Sequence, residues 1–106
     1  MSKTSVIRYQ TRPEAAEENQ QLVEQVYAQL GREDPGGLRY ATFRLGDGGE
    51  FVHLASTETA DGSNPLQQVA AFQAFQAGIG QRCVEPPVVT ELHEIGSFRY
   101  WSGDEG

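Results

Sequence analysis

The chain has 106 residues, 38% of them hydrophobic and 22% charged; this suits one folded domain over residues 1–106 with a modest core, not a disordered tail. Eight Lys and Arg against 15 Asp and Glu leave a net charge of -7, a balance that repels phosphate backbones and anionic lipid and argues against nucleic-acid binding. A single cysteine rules out an internal disulfide or a cysteine-rich zinc site, and no apolar run approaches the ~20 residues of a membrane span. Met1-Ser2-Lys3 opens no apolar leader, so the expected setting is cytoplasmic, away from membranes.

Thr4 to Gln10 mixes β-branched and aromatic side chains with polar ones and reads as a strand. Thr11 and Glu14 then stand in the capping-box relation around Pro13, and Glu14, Glu17 and Glu18 favour the positive end of a helix dipole. Leu22, Val23, Val26, Tyr27 and Leu30 recur at helical spacing, with Gly31 as a stop before Pro35-Gly36-Gly37. A helix is predicted over 13–31. Leu38 to Leu45 and Glu50 to Ser56 read as strands joined through Gly46-Asp47-Gly48-Gly49, a turn able to supply positive φ. Asn64-Pro65 pairs an N-cap with a first-turn proline, and Leu66, Val69, Phe72, Phe75 and Ile79 follow at spacings of three and four. The second helix is predicted over 65–82, with Glu85-Pro86-Pro87 forbidding continuation. A last strand is expected within Val88 to Trp101, with Gly96 as a candidate bulge and Ser102 to Gly106 as a frayed tail.

The order β-α-β-β-α-β, with short connections and right-handed crossovers, gives a ferredoxin-like α+β fold: a four-stranded antiparallel sheet with two helices on one face. Strand alternation sorts the remaining side chains into two sets. Val52 and Leu54, with Ala41, Phe43 and Leu45, form an apolar set that we assign to the helix-packed core. Phe51, His53 and Ala55, with Tyr40, Thr42 and Arg44, form a mixed set assigned to the bare face, together with Arg8 and Gln10. Such a face is most simply buried against a second copy of the chain. The expectation is therefore a homodimer with sheets facing each other, and a lumen where a ligand meets Arg8, Tyr40, Thr42, Phe51 and His53.

The element order and the segments Gly37-Leu38-Arg39-Tyr40-Ala41-Thr42, Glu50-Phe51-Val52-His53-Leu54 and Ala71-Phe72-Gln73-Ala74-Phe75-Gln76 resemble the dimeric α+β barrel superfamily. Within it, the chain is most similar to the small antibiotic-biosynthesis-monooxygenase-like proteins, from about Ser5 to Tyr100. The resemblance implies a fold more than an activity, since the superfamily includes cofactor-free oxygenases of polycyclic aromatics, haem-degrading enzymes and proteins without assigned activity. Haem degradation is disfavoured. That branch uses a second-helix histidine and a first-strand asparagine, whereas 65–82 has no histidine, strand one offers Arg8 and Gln10, and Trp101 lies near the C-terminus. No cofactor is expected.

His53 is the one candidate base or ligand-orienting donor; the plainer alternative is a histidine satisfied by a strand neighbour or across the dimer. His93, between Glu91 and Glu94, reads as solvated, and the 40 positions between the histidines carry no metal-site spacing. Arg8 and Arg44 suit edge or interface ion pairs, Phe72 and Phe75 suit core packing, and Cys83 suits a structural thiol lacking a base. Asn19 and Gln20 read as solvated. The Gly46–Gly49 turn lacks the Lys-Ser/Thr and helix start of a phosphate loop. An RNA-binding sheet would need a basic surround, and a metal chaperone a Cys-x-x-Cys loop, neither of which is present. Two readings remain: a small-molecule-binding or interaction module, with any ligand, such as a small aromatic or lipophilic metabolite, in the lumen of each barrel, and a cofactor-independent monooxygenase-like enzyme acting on an aromatic or lipophilic metabolite with His53 as base.

Overall fold

A computed structural model describes residues 2–100. Four strands, β1 (Ser2–Gln10), β2 (Leu38–Arg44), β3 (Glu50–Glu58) and β4 (Val88–Leu92), form one antiparallel sheet in the order β2-β3-β1-β4. The helices α1 (Ala16–Glu33), α2 (Ala70–Ala77) and α3 (Ile79–Arg82) pack on one face of it, giving the expected ferredoxin-like architecture. Tyr9, Phe51 and Ala55 from the sheet meet Val23 and Val26 of α1, and Leu66, Val69, Phe72 and Phe75 of the second helical segment. No helix among the described residues is long and apolar enough to cross a membrane.

Several local expectations change. Thr11 does not cap α1: its backbone bridges to Cys83, and a 3-10 turn at Pro13–Ala15 leads into the helix instead. Its hydroxyl is buried without a hydrogen-bond partner. Gly31 does not stop α1, which runs on to Glu33 and ends where Asp34 adopts a left-handed φ of 47° and donates its N–H to Leu30. The second helix breaks into a 3-10 turn at Pro65–Gln68, α2 and α3, because Val69 is extended and Gly78 leaves helical geometry. Asn64 does cap its start, accepting the Leu66 N–H at 3.0 Å. β4 ends at Leu92, so His93 and Gly96 fall beyond the sheet. Trp101, the far bound of the span expected to contain this strand, and the tail Ser102–Gly106 lie outside the described residues.

The larger correction concerns the two faces. Phe51, His53 and Ala55 are the buried residues of β3 and face the helices, with Tyr9 of β1 and Tyr40, Thr42 and Arg44 of β2 on the same side. Val52, Leu54, Ala41 and Phe43 lie on the open face, where Phe43 remains 49% exposed. Alternation reveals which side chains share a face but not which face the helices cover. Here the helices bring polar partners of their own, Asn19, Tyr27 and Arg82, so the mixed set is the one they can satisfy.

Candidate functional site

The antiparallel register sets Thr42 beside His53 and His53 beside Ile7, which places the His53 ring at the centre of the helix-covered face. The residue is 2% exposed. Its Nε2 lies 2.7 Å from the Tyr9 hydroxyl. Its Nδ1 lies 2.5 Å from the Tyr40 hydroxyl and 3.2 Å from Thr42 Oγ1. Tyr9 also accepts from Asn19 Nδ2 at 2.8 Å, and Asn19 Oδ1 accepts from Arg82 Nε at 3.0 Å. On the other side, the Tyr27 hydroxyl meets Thr42 Oγ1 at 2.7 Å. A continuous chain of polar groups thus crosses the core from Arg82 to Tyr27.

Rings enclose this chain. Tyr9 stacks on Phe51 and Tyr40 on Tyr27, while Phe75 lies 5.3 Å from the His53 ring. Burial among them disfavours the imidazolium and lowers the His53 pKa from 6.5 to about 4. The same desolvation drives the Tyr9 and Tyr40 phenols upward and lifts Tyr27 to about 12. All four groups are therefore neutral near pH 7, and each phenol retains a proton to donate. Arg82 is buried at 6% exposure. It donates to Asn19 and, through Nη2, to the Phe75 carbonyl at 2.8 Å, with its guanidinium over the Phe75 ring.

Between the sheet and the helices lies a cavity of about 360 Å³. Ile7, Tyr9, Tyr40, His53 and Val89 form its sheet side, Leu66, Phe72, Phe75 and Ile79 its helical side, and Lys3, Asn64 and Gln67 add polar groups. Apolar walls with a few convergent polar groups are the usual make-up of a small-molecule pocket.

The five residues expected around a ligand divide. Tyr40 and His53 line this cavity; Thr42 stands behind them, hydrogen-bonded to the imidazole; and Phe51 supports Tyr9 by stacking. Arg8 is exposed on the opposite face of the sheet, paired in register with Val52, and joins no part of this network. Arg44 forms an ion pair, with Glu17 at 3.0 Å, and also holds Gln20 and the turn carbonyls of Asp47 and Gly48. Cys83 is buried, with its thiol pKa raised by desolvation, as suits a structural role.

Asn19, expected to be solvated, is completely buried, and Tyr9 and Arg82 join it in the network although neither was among the expected site residues. The signal was present. Asn19 stands four residues before Val23 and Arg82 three after Ile79, so each polar residue continues an apolar helical stripe.

No family model and no curated protein sequence matches the chain, but solved structures do. Rv0793 from Mycobacterium tuberculosis superposes with a TM-score of 0.72 at 21% identity, over 92% of this chain and 98% of that one. A protein named antibiotic biosynthesis monooxygenase gives 0.68 at 17% identity, over 91% and 100%. A variant of SnoaB from Streptomyces nogalater, a cofactor-independent oxygenase, gives 0.62 at 16% identity, over 91% and 95%. The chain therefore has the fold of the antibiotic-biosynthesis-monooxygenase-like proteins, as the sequence resemblance implied.

Proposed function

We propose that this chain is a small-molecule-binding protein that holds an aromatic or lipophilic metabolite in the cavity between its sheet and its helices. One observation carries the reading: a buried, neutral histidine bridging two phenols on the wall of a mostly apolar cavity of about 360 Å³. Maintaining such a polar group inside a core costs stability unless every partner is satisfied. Placing that arrangement at a cavity wall serves recognition better than packing. An oxygenase reading would use His53 as a base, yet both its nitrogens are engaged by phenols and its pKa is lowered to about 4. Binding is the reading these features support best.

The second element of the proposal is a homodimer through the open face. Phe43, Leu45 and Val88 stand there 47–54% exposed beside Leu92, next to half-buried Val52 and Leu54. A second copy would cover this apolar surface by a symmetric, self-complementary contact.

The test is a thermal-shift screen of small aromatic and lipophilic compounds, repeated on Ser5→Trp, which places an indole at the cavity wall. Binding raises the melting temperature of the wild type and the rise disappears in the filled variant. An equal rise in both proteins, or no rise with any compound, overturns the assignment.

A further inference from the structure

The chain of polar groups behind the cavity has a direction, fixed at its buried end. Arginine has donors only, so the oxygen of the Asn19 amide faces Arg82 Nε at 3.0 Å and its NH2 group faces Tyr9 at 2.8 Å. The Tyr9 oxygen thereby accepts from Asn19, and its own proton goes to His53 Nε2, 2.7 Å away. A neutral imidazole that accepts at Nε2 carries its proton on Nδ1. That proton points at the Tyr40 oxygen, 2.5 Å distant, with Thr42 Oγ1 at 3.2 Å as a longer alternative. Each donor along this path faces away from Arg82 and toward Tyr40. Tyr40, already accepting from His53, keeps one proton to donate, and its ring lines the cavity. In the absence of ligand the neighbouring Thr42 hydroxyl can take that proton, since it contacts the same phenol.

We propose that Asn19 and Arg82 are positioning residues that impose the Nδ1–H tautomer on His53 and so make Tyr40 the hydrogen-bond donor to the ligand. The ligand class follows: a compact apolar molecule presenting an acceptor oxygen, such as a ketone or quinone carbonyl. This ligand half rests on the cavity reading above, whereas the tautomer half does not.

Asn19→Asp reverses the relay with little change of shape. A carboxylate only accepts, so it takes both the Arg82 Nε–H and the Tyr9 O–H. Tyr9 must then accept from His53, which moves the ring proton to Nε2 and makes Nδ1 an acceptor for the Tyr40 proton. A long-range proton–nitrogen NMR spectrum of the imidazole reads this directly. The wild type shows protonated Nδ1 and Asn19→Asp protonated Nε2; protonated Nε2 in the wild type, or an unchanged tautomer in a folded Asn19→Asp, overturns the inference. Loss of packing alone would not exchange the two nitrogens.

α-Tetralone and tetralin, which differ by one carbonyl oxygen, probe the ligand half. The wild type prefers the ketone by roughly tenfold, about one buried hydrogen bond. Asn19→Asp and Tyr40→Phe both lose the preference, and Tyr40→Phe leaves the His53 tautomer unchanged. Equal binding of the two probes by the wild type refutes Tyr40 as donor. Binding of neither, with the Nδ1–H tautomer observed, refutes the ligand half together with the cavity reading and leaves the positioning role of Asn19 and Arg82 supported.

Discussion

His53 makes the stability of this protein depend on pH in a window where few other groups titrate. The imidazole is 2% exposed and its pKa falls from 6.5 to about 4 through desolvation. The unfolded chain therefore takes up a proton near pH 6.5 that the folded chain refuses until near pH 4, and stability falls as pH falls between these values. A shift of this size corresponds to about 3 kcal/mol, most of which is lost between about pH 7.5 and about pH 4.5. The groups that hydrogen-bond the ring, Tyr9, Tyr40 and Thr42, do not titrate there. Urea unfolding of the wild type and His53→Gln across this range isolates the effect, because exposed carboxylates such as Glu14 and Asp61 contribute equally to both. The wild type should lose about 2–3 kcal/mol more than the variant on acidification. A difference below about 0.5 kcal/mol would show that His53 is not held neutral by burial, and the reasoning would fail.

Phe51→Ala removes a ring that is 2% exposed and stacked on Tyr9, and should cost about 3–5 kcal/mol in chemical unfolding. Gly37→Ala introduces a Cβ 2.7 Å from the Glu58 carbonyl oxygen at a φ of +74°, so a loss of about 1–2 kcal/mol and a lower melting temperature are expected. Phe43→Asp puts a charge on the open sheet face while sparing the His53 network; sedimentation velocity should show a dimer for the wild type and a monomer for the variant. A monomeric wild type would remove the dimer from the proposal.

The elements and their order were legible because each carries its own period and punctuation: alternation in β3, spacings of three and four in α1, and the Asn64 cap before Pro65. The covered face was not legible, because the choice depends on what the helices bring to the sheet. An apolar set of Val52, Leu54 and Phe43 looks like a core by transfer free energy alone. The structure instead turns Tyr40, Thr42 and His53 toward the helices, since Asn19, Tyr27 and Tyr9 hydrogen-bond within that same layer. His53, Tyr40, Thr42 and Phe51 were therefore grouped correctly as neighbours, from alternation and cross-strand register, but placed on the wrong side of the sheet. Arg8 does lie on the open face as expected, and it parts from the group only because the Tyr40, Thr42, Phe51 and His53 side chains turn toward the helices instead. Helix ends shifted for a similar reason. A left-handed Asp34 can close α1 with the backbone bond that Gly31 was expected to permit, and only the packed turn decides between them.

Backbone amide shifts of the labelled protein titrated with α-tetralone test the central claim most directly, since they locate a ligand on one face of the sheet or the other. Binding between sheet and helices predicts perturbations centred on Ile7, Tyr9, Tyr40, His53, Phe72 and Phe75. Perturbations centred on Phe43, Val52 and Leu54 of the open face, or none at saturating probe, would contradict it.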